Sequence, residues 1–114
     1  MQPSLPETLS PTVRTALDDA LVALRDLYGD RLRQIVLFGS HARGEAREES
    51  DVDVLVVLEG KVNVLKELRR LSHLNIRLLI EHGEAFSFQP YAETDYRAGQ
   101  HRFLRNVHAE GVHL

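Results

Sequence analysis

From Val13 onward, apolar side chains recur at intervals of three and four residues: Val13, Leu17, Ala20, Leu21, Leu24, Leu27 and Tyr28. That spacing predicts an amphipathic helix, with Asp18, Asp19, Arg25 and Asp26 mostly toward solvent. Ser10 can cap its free amide hydrogens and Pro11 suits its first turn, where a missing N–H is not needed. Gly29 is placed to end it. Residues 31–34 lead into Ile35-Val36-Leu37-Phe38, a short continuous apolar run suited to a buried strand. Residues 41–47 fit a short helix interrupted by Gly44. Residues 51–58, rich in β-branched side chains, read as a second strand closed by Glu59-Gly60.

Further along, Val62, Leu65, Leu68, Leu71 and Leu74 keep helical spacing, which makes Leu65, Leu68 and Leu71 core positions rather than an interaction zipper. Lys66, Glu67, Arg69 and Arg70 are expected outward. Residues 75–81 alternate and read as a third strand, with Ile76, Leu78 and Ile80 on one side and Asn75, Arg77, Leu79 and Glu81 on the other. Residues 83–99 are expected to be irregular, with Phe86, Phe88 and Tyr91 packing as a satellite cluster. Residues 100–109 can form a short helix with Phe103, Leu104 and Val107 on its apolar side. The order predicts an α+β (α/β-like) fold, a small mixed sheet backed by helices.

Composition narrows the class. A chain of 114 residues fits one domain, here residues 11–114 behind a loose, proline-containing lead-in at 1–10. The content of 43% apolar and 27% charged residues is ordinary for a globular protein. The lack of cysteine excludes a disulfide framework and a thiolate metal site and fits a reducing compartment. No apolar run approaches the roughly 18 residues of a membrane span, and the first ten residues lack the apolar core of a signal peptide. A net charge of −3 gives no broad nucleic-acid-binding face. These features lead us to expect a soluble, cytoplasmic protein with no membrane partner, and they leave homo-oligomerisation open.

The candidate chemistry lies between Phe38 and Val57, FGSHARGEAREESDVDVLVV. Asp51 and Asp53 stand two apart on a predicted strand, so their side chains leave one face with alpha carbons roughly 6.5 Å apart. Two carboxylates sharing a space stay ionised comfortably only beside a cation. Magnesium suits them, because it takes one or two carboxylates together with substrate phosphates. The plainer reading is a solvated, acidic strand start. Upstream, Gly39-Ser40 sits where a buried strand turns into a helical segment, and glycine there lets a phosphate approach the backbone. Arg43 in the first helical turn opposes the helix dipole by several tenths of a kcal/mol. A bound anion would turn that penalty into an attraction; otherwise Arg43 swings outward to Glu45, Glu48 or Glu49.

Gly39-Ser40, Ala42-Arg43-Gly44 and Ser50-Asp51-x-Asp53 together resemble the motif of the polymerase-β-type nucleotidyltransferases, most closely their minimal, antitoxin-type members. The tail from Phe103 to Val112 is similar to the ending of many of these proteins. The resemblance implies a nucleotidyltransferase fold in which Asp51 and Asp53 hold one or two magnesium ions and are catalytic. It also implies that Gly39, Ser40 and Arg43 bind the triphosphate of a nucleoside triphosphate substrate. The implied reaction transfers a nucleoside monophosphate, AMP from ATP, to an acceptor hydroxyl. Metal ions would activate the attacking oxygen and steady the leaving group. It further implies a HEPN-family toxin as partner, neutralised by adenylylation.

The superfamily usually adds a third carboxylate from the next strand. On the predicted third strand the candidate positions are Asn75 and Arg77, which are not acids. Glu81 has the right parity but lies roughly 13 Å along the strand from Arg77. The alternative function is therefore a catalytically weakened nucleotide- or partner-binding module, and a third is a structural subunit whose acidic strand faces solvent. The six histidines, His41, His73, His82, His101, His108 and His113, lack a short metal-ligand spacing and read mainly as surface residues. His41, within the motif, is placed to touch phosphate. The spacing of Arg102 and His108 matches that of a HEPN ribonuclease motif and is read as coincidence.

Overall fold

The computed structural model describes residues 5–114. Helix α1 runs Pro11–Tyr28, and Ser10 Oγ accepts a hydrogen bond from the Val13 amide at 3.3 Å. Gly29 follows, and a 3-10 turn, Gly29–Arg31, leads into β1, Leu32–Phe38. Then come α2, Gly39–Arg43; β2, Val52–Leu58; α3, Val64–His82; β3, Phe86–Ala92; α4, Glu93–Ala98; α5, Arg102–Glu110; and the two-residue β4, Val112–His113. The sheet order is β3-β2-β1-β4. β1 pairs antiparallel with β2 and with β4, and β2 pairs parallel with β3 across the α3 connection. A mixed sheet backed by helices is what the sequence predicts.

The lead-in is less loose than expected at its end. Its first four residues lie outside the described part of the chain, but Leu9 is only 6% exposed within the core, and Arg14 Nη2 donates to the Pro6 carbonyl at 2.8 Å.

α3 is the largest departure. The strand expected over 75–81 is the second half of this helix, which starts at an Asn63 cap and stops at Gly83, whose φ is 72°. The buried face of α3 reads Glu67, Leu71, Leu74 and Leu78, a single helical stripe. Leu65 falls off that stripe and is 72% exposed, Leu68 is also exposed, and Ile76, Leu79 and Ile80 face solvent. Leu71 is the one member of the expected leucine trio that is buried. Glu67, expected outward, is buried, with its carboxylate 3.5 Å from Arg31 Nη1 and 3.7 Å from Arg70 Nη1.

The segment expected to be irregular holds both β3 and α4. Phe86, Phe88 and Pro90 of β3 are buried, and Ser87, Gln89 and Tyr91 are half-buried on the opposite face. Pro90 is tolerated because β3 is an edge strand. Phe86 and Phe88 therefore belong to the main core rather than to a satellite cluster.

That core lies between the sheet and the pair α1 and α3, joining Leu17 and Leu24 to Leu37, Val54, Leu71 and Leu78. A second, smaller cluster on the other face joins Val36, Leu55 and Val57 to Tyr96 of α4 and to Leu104 and Val107 of α5. An ion-pair network ties α1 to α3. Arg77 Nη1 and Nη2 each lie 3.0 Å from an Asp19 oxygen, Arg77 also reaches Glu81 at 2.7 Å, and His82 Nε2 lies 2.8 Å from Asp19.

Candidate active site

The strand parities decide which face carries the chemistry. Phe38 of β1 and Ser87 of β3 are the register partners of Asp53. Side chains at paired positions leave the same side of a sheet. Asp53 therefore projects on the face of Leu55 and Val57, away from α1 and α3 and toward the side where α4 and α5 cover only part of the sheet.

Gly39 shapes the space around it. Its φ is 75°, a left-handed conformation that suits glycine, and a Cβ added there would overlap the Asp53 carboxylate. The next residue, Ser40, lies in the first turn of α2, and its carbonyl accepts from the Gly44 and Glu45 amides as Gly44 ends the helix at φ 75°. The helix expected over 41–47 is thus shorter and earlier, at Gly39–Arg43.

His41 points inward rather than toward a phosphate. It is 7% exposed, and its Nε2 lies 3.1 Å from the Ser50 carbonyl oxygen. Ser50 in turn closes the 47–50 turn, accepting from the Arg47 amide with its Oγ at 2.9 Å and donating its own amide to the Arg47 carbonyl at 3.0 Å. His41 and this turn fix the segment that delivers Asp51, which is exposed just before β2, while Asp53 is half-buried within it.

Burial pushes the Asp53 carboxyl above its ordinary range, and the Asp51 charge adds to the effect; His41 and Arg43 oppose it less strongly. The pair forms a hard, anionic oxygen donor set, whose chemistry fits a magnesium ion. Arg43 turns outward, with Nε 3.2 Å from Glu45 Oε2 and Nη1 3.4 Å from Glu110 Oε2. It thereby links α2 to α5 at the edge of the site.

None of the positions proposed for a third carboxylate reaches this face. Asn75 Oδ1 accepts the Phe86 amide hydrogen at 2.8 Å and so fixes the start of β3. Arg77 and Glu81 are held in the network with Asp19 of α1. The residue beside Asp53 on the neighbouring strand is Ser87, followed on the same face by Gln89. Sequence reasoning missed Ser87 because it placed the strand one element too early. The signals for β3 were the alternation Phe86, Ser87, Phe88, Gln89 and the absence of any glycine or proline between Gly60 and Gly83.

Asp19, Glu81 and His82 bring three ligand-type atoms within 4.8 Å of one another. Arg77 bonds both oxygens of Asp19 and one of Glu81, so a guanidinium already occupies the carboxylate oxygens that a metal would need. His108 is likewise engaged structurally, with Nε2 2.7 Å from the Tyr96 carbonyl and its ring stacked on that of Tyr96.

The sequence profile of the family described as "Nucleotidyltransferase domain" matches residues 17–97, a span that includes Gly39, Ser40, Asp51 and Asp53. The chain belongs to the nucleotidyltransferase domain family. Among similar proteins is the Thermococcus cleftensis protein adenylyltransferase MntA, 44% identical over 55 residues, which are 48% of this chain and 54% of that protein. Across the curated relatives that it matches, the aligned stretch spans 30% to 65% of their own length. A solved structure described as a candidate minimal nucleotidyltransferase is 29% identical with a TM-score of 0.57, and the match covers 96% of this chain and all of that one. A toxin–antitoxin crystal structure with AMP-PNP shares the fold, with a TM-score of 0.59 at 20% identity over 84% of this chain and 70% of that chain. The family profile thus spans the motif, and solved structures share the fold over most of the chain's length.

Proposed function

We propose that this chain is a magnesium-dependent nucleotidyltransferase that moves AMP from ATP to a hydroxyl of a partner protein. The observation that carries the reading is the packing of Asp53 against Gly39, with Asp51 and Ser40 alongside, on the partly uncovered face of the sheet. In this reading Asp51 and Asp53 are the metal ligands, and a magnesium ion held there supplies positive charge to the triphosphate and the attacking oxygen.

The chain's own residues do the rest. In this reading the Gly39 backbone and the Ser40 hydroxyl donate to phosphate oxygens, and Arg43 exchanges Glu45 and Glu110 for the triphosphate. His41 holds the turn before β2, so the carboxylates are placed before substrate arrives. The acceptor oxygen forms a bond to the α-phosphorus, the bond from that phosphorus to the bridging oxygen breaks, and pyrophosphate leaves. The hydroxyl proton passes to solvent, since Ser87 offers no carboxylate. The unit that acts is the single domain of residues 11–114, working in the cytoplasm.

The partner in this proposal is a HEPN-family toxin. Support comes from the name of the MntA relative, a protein adenylyltransferase, and from the fold shared with a toxin–antitoxin pair. The test is incubation with magnesium, ATP labelled at the α-phosphate and a HEPN-family protein encoded beside this chain. Label on the partner supports the reading, and its absence with the wild-type chain contradicts it. Ser87 in place of a carboxylate favours a second reading, a nucleotide- or partner-binding module of weakened catalysis. That reading expects ATP to bind and the partner to be held without pyrophosphate release.

A further inference from the structure

Beside Gly39 lies a cavity of about 240 Å³, bounded by the end of β1, by α2 and by α5. Phe38, Gly39, Arg43, Phe103, Asn106 and Glu110 line it. Pockets for whole drug-sized ligands run to roughly 300–1,000 Å³, so this one suits one ring system of a larger ligand whose remainder extends over Gly39. The family-matched span ends at residue 97, before α5 begins. The cavity thus joins motif residues Phe38, Gly39 and Arg43 to residues of α5 that lie beyond the matched span.

Two side chains give it chemical character. Phe103 remains 39% exposed although it is a large aromatic, and two neighbours fix its ring. Phe38 meets it edge-on at 5.4 Å and 81°, and Tyr91 stacks at 6.1 Å and 26°. A positioned, partly open aromatic ring offers a flat apolar wall to another ring. Asn106 lies three residues later on the same helix and is exposed at the cavity. Its amide carries both a donor and an acceptor. Arg43 pairs with Glu110 between α2 and α5 until it turns to the triphosphate, and the Phe38–Phe103 contact holds the end of β1 to α5 throughout.

We propose that this cavity is the nucleobase subsite, in which the base packs against Phe103 and Asn106 reads its edge in favour of adenine. The proposal rests on the nucleotidyl-transfer reading of the Gly39–Asp53 centre. On its N6/N7 edge, the one this proposal assigns to Asn106, adenine presents an amino donor beside a ring-nitrogen acceptor, which one carboxamide satisfies with two hydrogen bonds. The corresponding edge of guanine presents two acceptors, of which the carboxamide satisfies one. The wild-type chain therefore binds ATP more tightly than GTP by about tenfold.

The test is a set of magnesium-containing calorimetric titrations with ATP, GTP and inorganic tripolyphosphate, on the wild type, Phe103→Ala, Phe103→Leu and Asn106→Ala. Thermal melts check that each variant is folded, and Phe103→Leu retains apolar bulk if the alanine variant is not. Loss of Phe103 weakens ATP by about tenfold and leaves tripolyphosphate unchanged. Asn106→Ala removes the preference for ATP over GTP, again with tripolyphosphate unchanged. Tripolyphosphate binding with ATP and GTP affinities unaltered in folded variants overturns the subsite while sparing the triphosphate centre. The same follows if the variants change only the KM for the protein acceptor, since the cavity then receives an acceptor side chain. If the wild type binds neither tripolyphosphate nor ATP, the underlying reading fails as well.

Discussion

Gly39 and Asp53 share one volume: the absent side chain of the first is occupied by the carboxylate of the second. The glycine of the motif therefore does two things, adopting a positive φ and clearing a seat for an acid delivered from another strand. Gly39→Ala must strain the backbone and displace Asp53 together. The expected result is a folded but destabilised chain whose ATP-dependent labelling falls by at least about a hundredfold, more than the loss typical of a group that only orients a metal ligand. Melting and labelling of the same preparation check it.

The charge at Asp53 has a stability signature. Its folded-state pKa is raised by burial and by Asp51, so the folded state is favoured at acid pH and loses stability as pH rises through that pKa. Asp53→Asn removes this loss. Without divalent ions the variant should melt above the wild type at pH 7, and the gap should close near pH 3. Magnesium should raise the wild-type melting temperature and leave that of the variant unmoved.

Asp19 behaves in the opposite sense. Hydrogen bonds from Arg77 and then from His82 hold its pKa down at about 2, against an ordinary 3.8. Its contribution is present above the ordinary value and is lost as pH falls toward about 2. The pair is partly exposed, so Asp19→Asn should cost no more than about 1 kcal/mol at pH 7, a drop of a few degrees in melting temperature. Wild type and variant should converge in acid melts near pH 2.

Ser87 permits a gain-of-function test. It is the register partner of Asp53 on β3, on the face that carries the candidate site. Ser87→Asp places a third carboxylate there. It should tighten magnesium binding and raise the labelling rate about a hundredfold or more, in the range ascribed to a positioned base. It should also lower stability without metal, because a third like charge joins the pair.

Much of this arrangement is legible in the sequence. The α1 face and its cap, the two central strands and the Gly39 to Asp53 motif follow from spacing and residue type. From Asn75 onward, alternation in Ile76, Leu78 and Ile80 mimics a strand inside a helix. In the folded chain only Leu78 of those three is buried, because the helical stripe from Glu67 through Leu71 and Leu74 continues to it. The third strand therefore lies at 86–92, and Ser87 rather than Asn75, Arg77 or Glu81 stands beside Asp53. β3 was hidden by Pro90, which is compatible with a strand only at an edge, and edge position is a tertiary fact. The inward turn of His41 depends on the turn that brings the Ser50 carbonyl to it, and the reach of Arg43 to Glu110 depends on the tertiary placement of α5.

The central claim is that Asp51 and Asp53 form a centre that transfers AMP. The most direct measurement is transfer of label from α-phosphate-labelled ATP to the HEPN-family partner, with magnesium, by the wild type, Asp51→Asn and Asp53→Asn. The account predicts label on the partner with the wild type and a reduction of at least about a hundredfold in each variant. Wild-type-level labelling by Asp53→Asn, or none by a wild type that is folded and binds the partner, would contradict it.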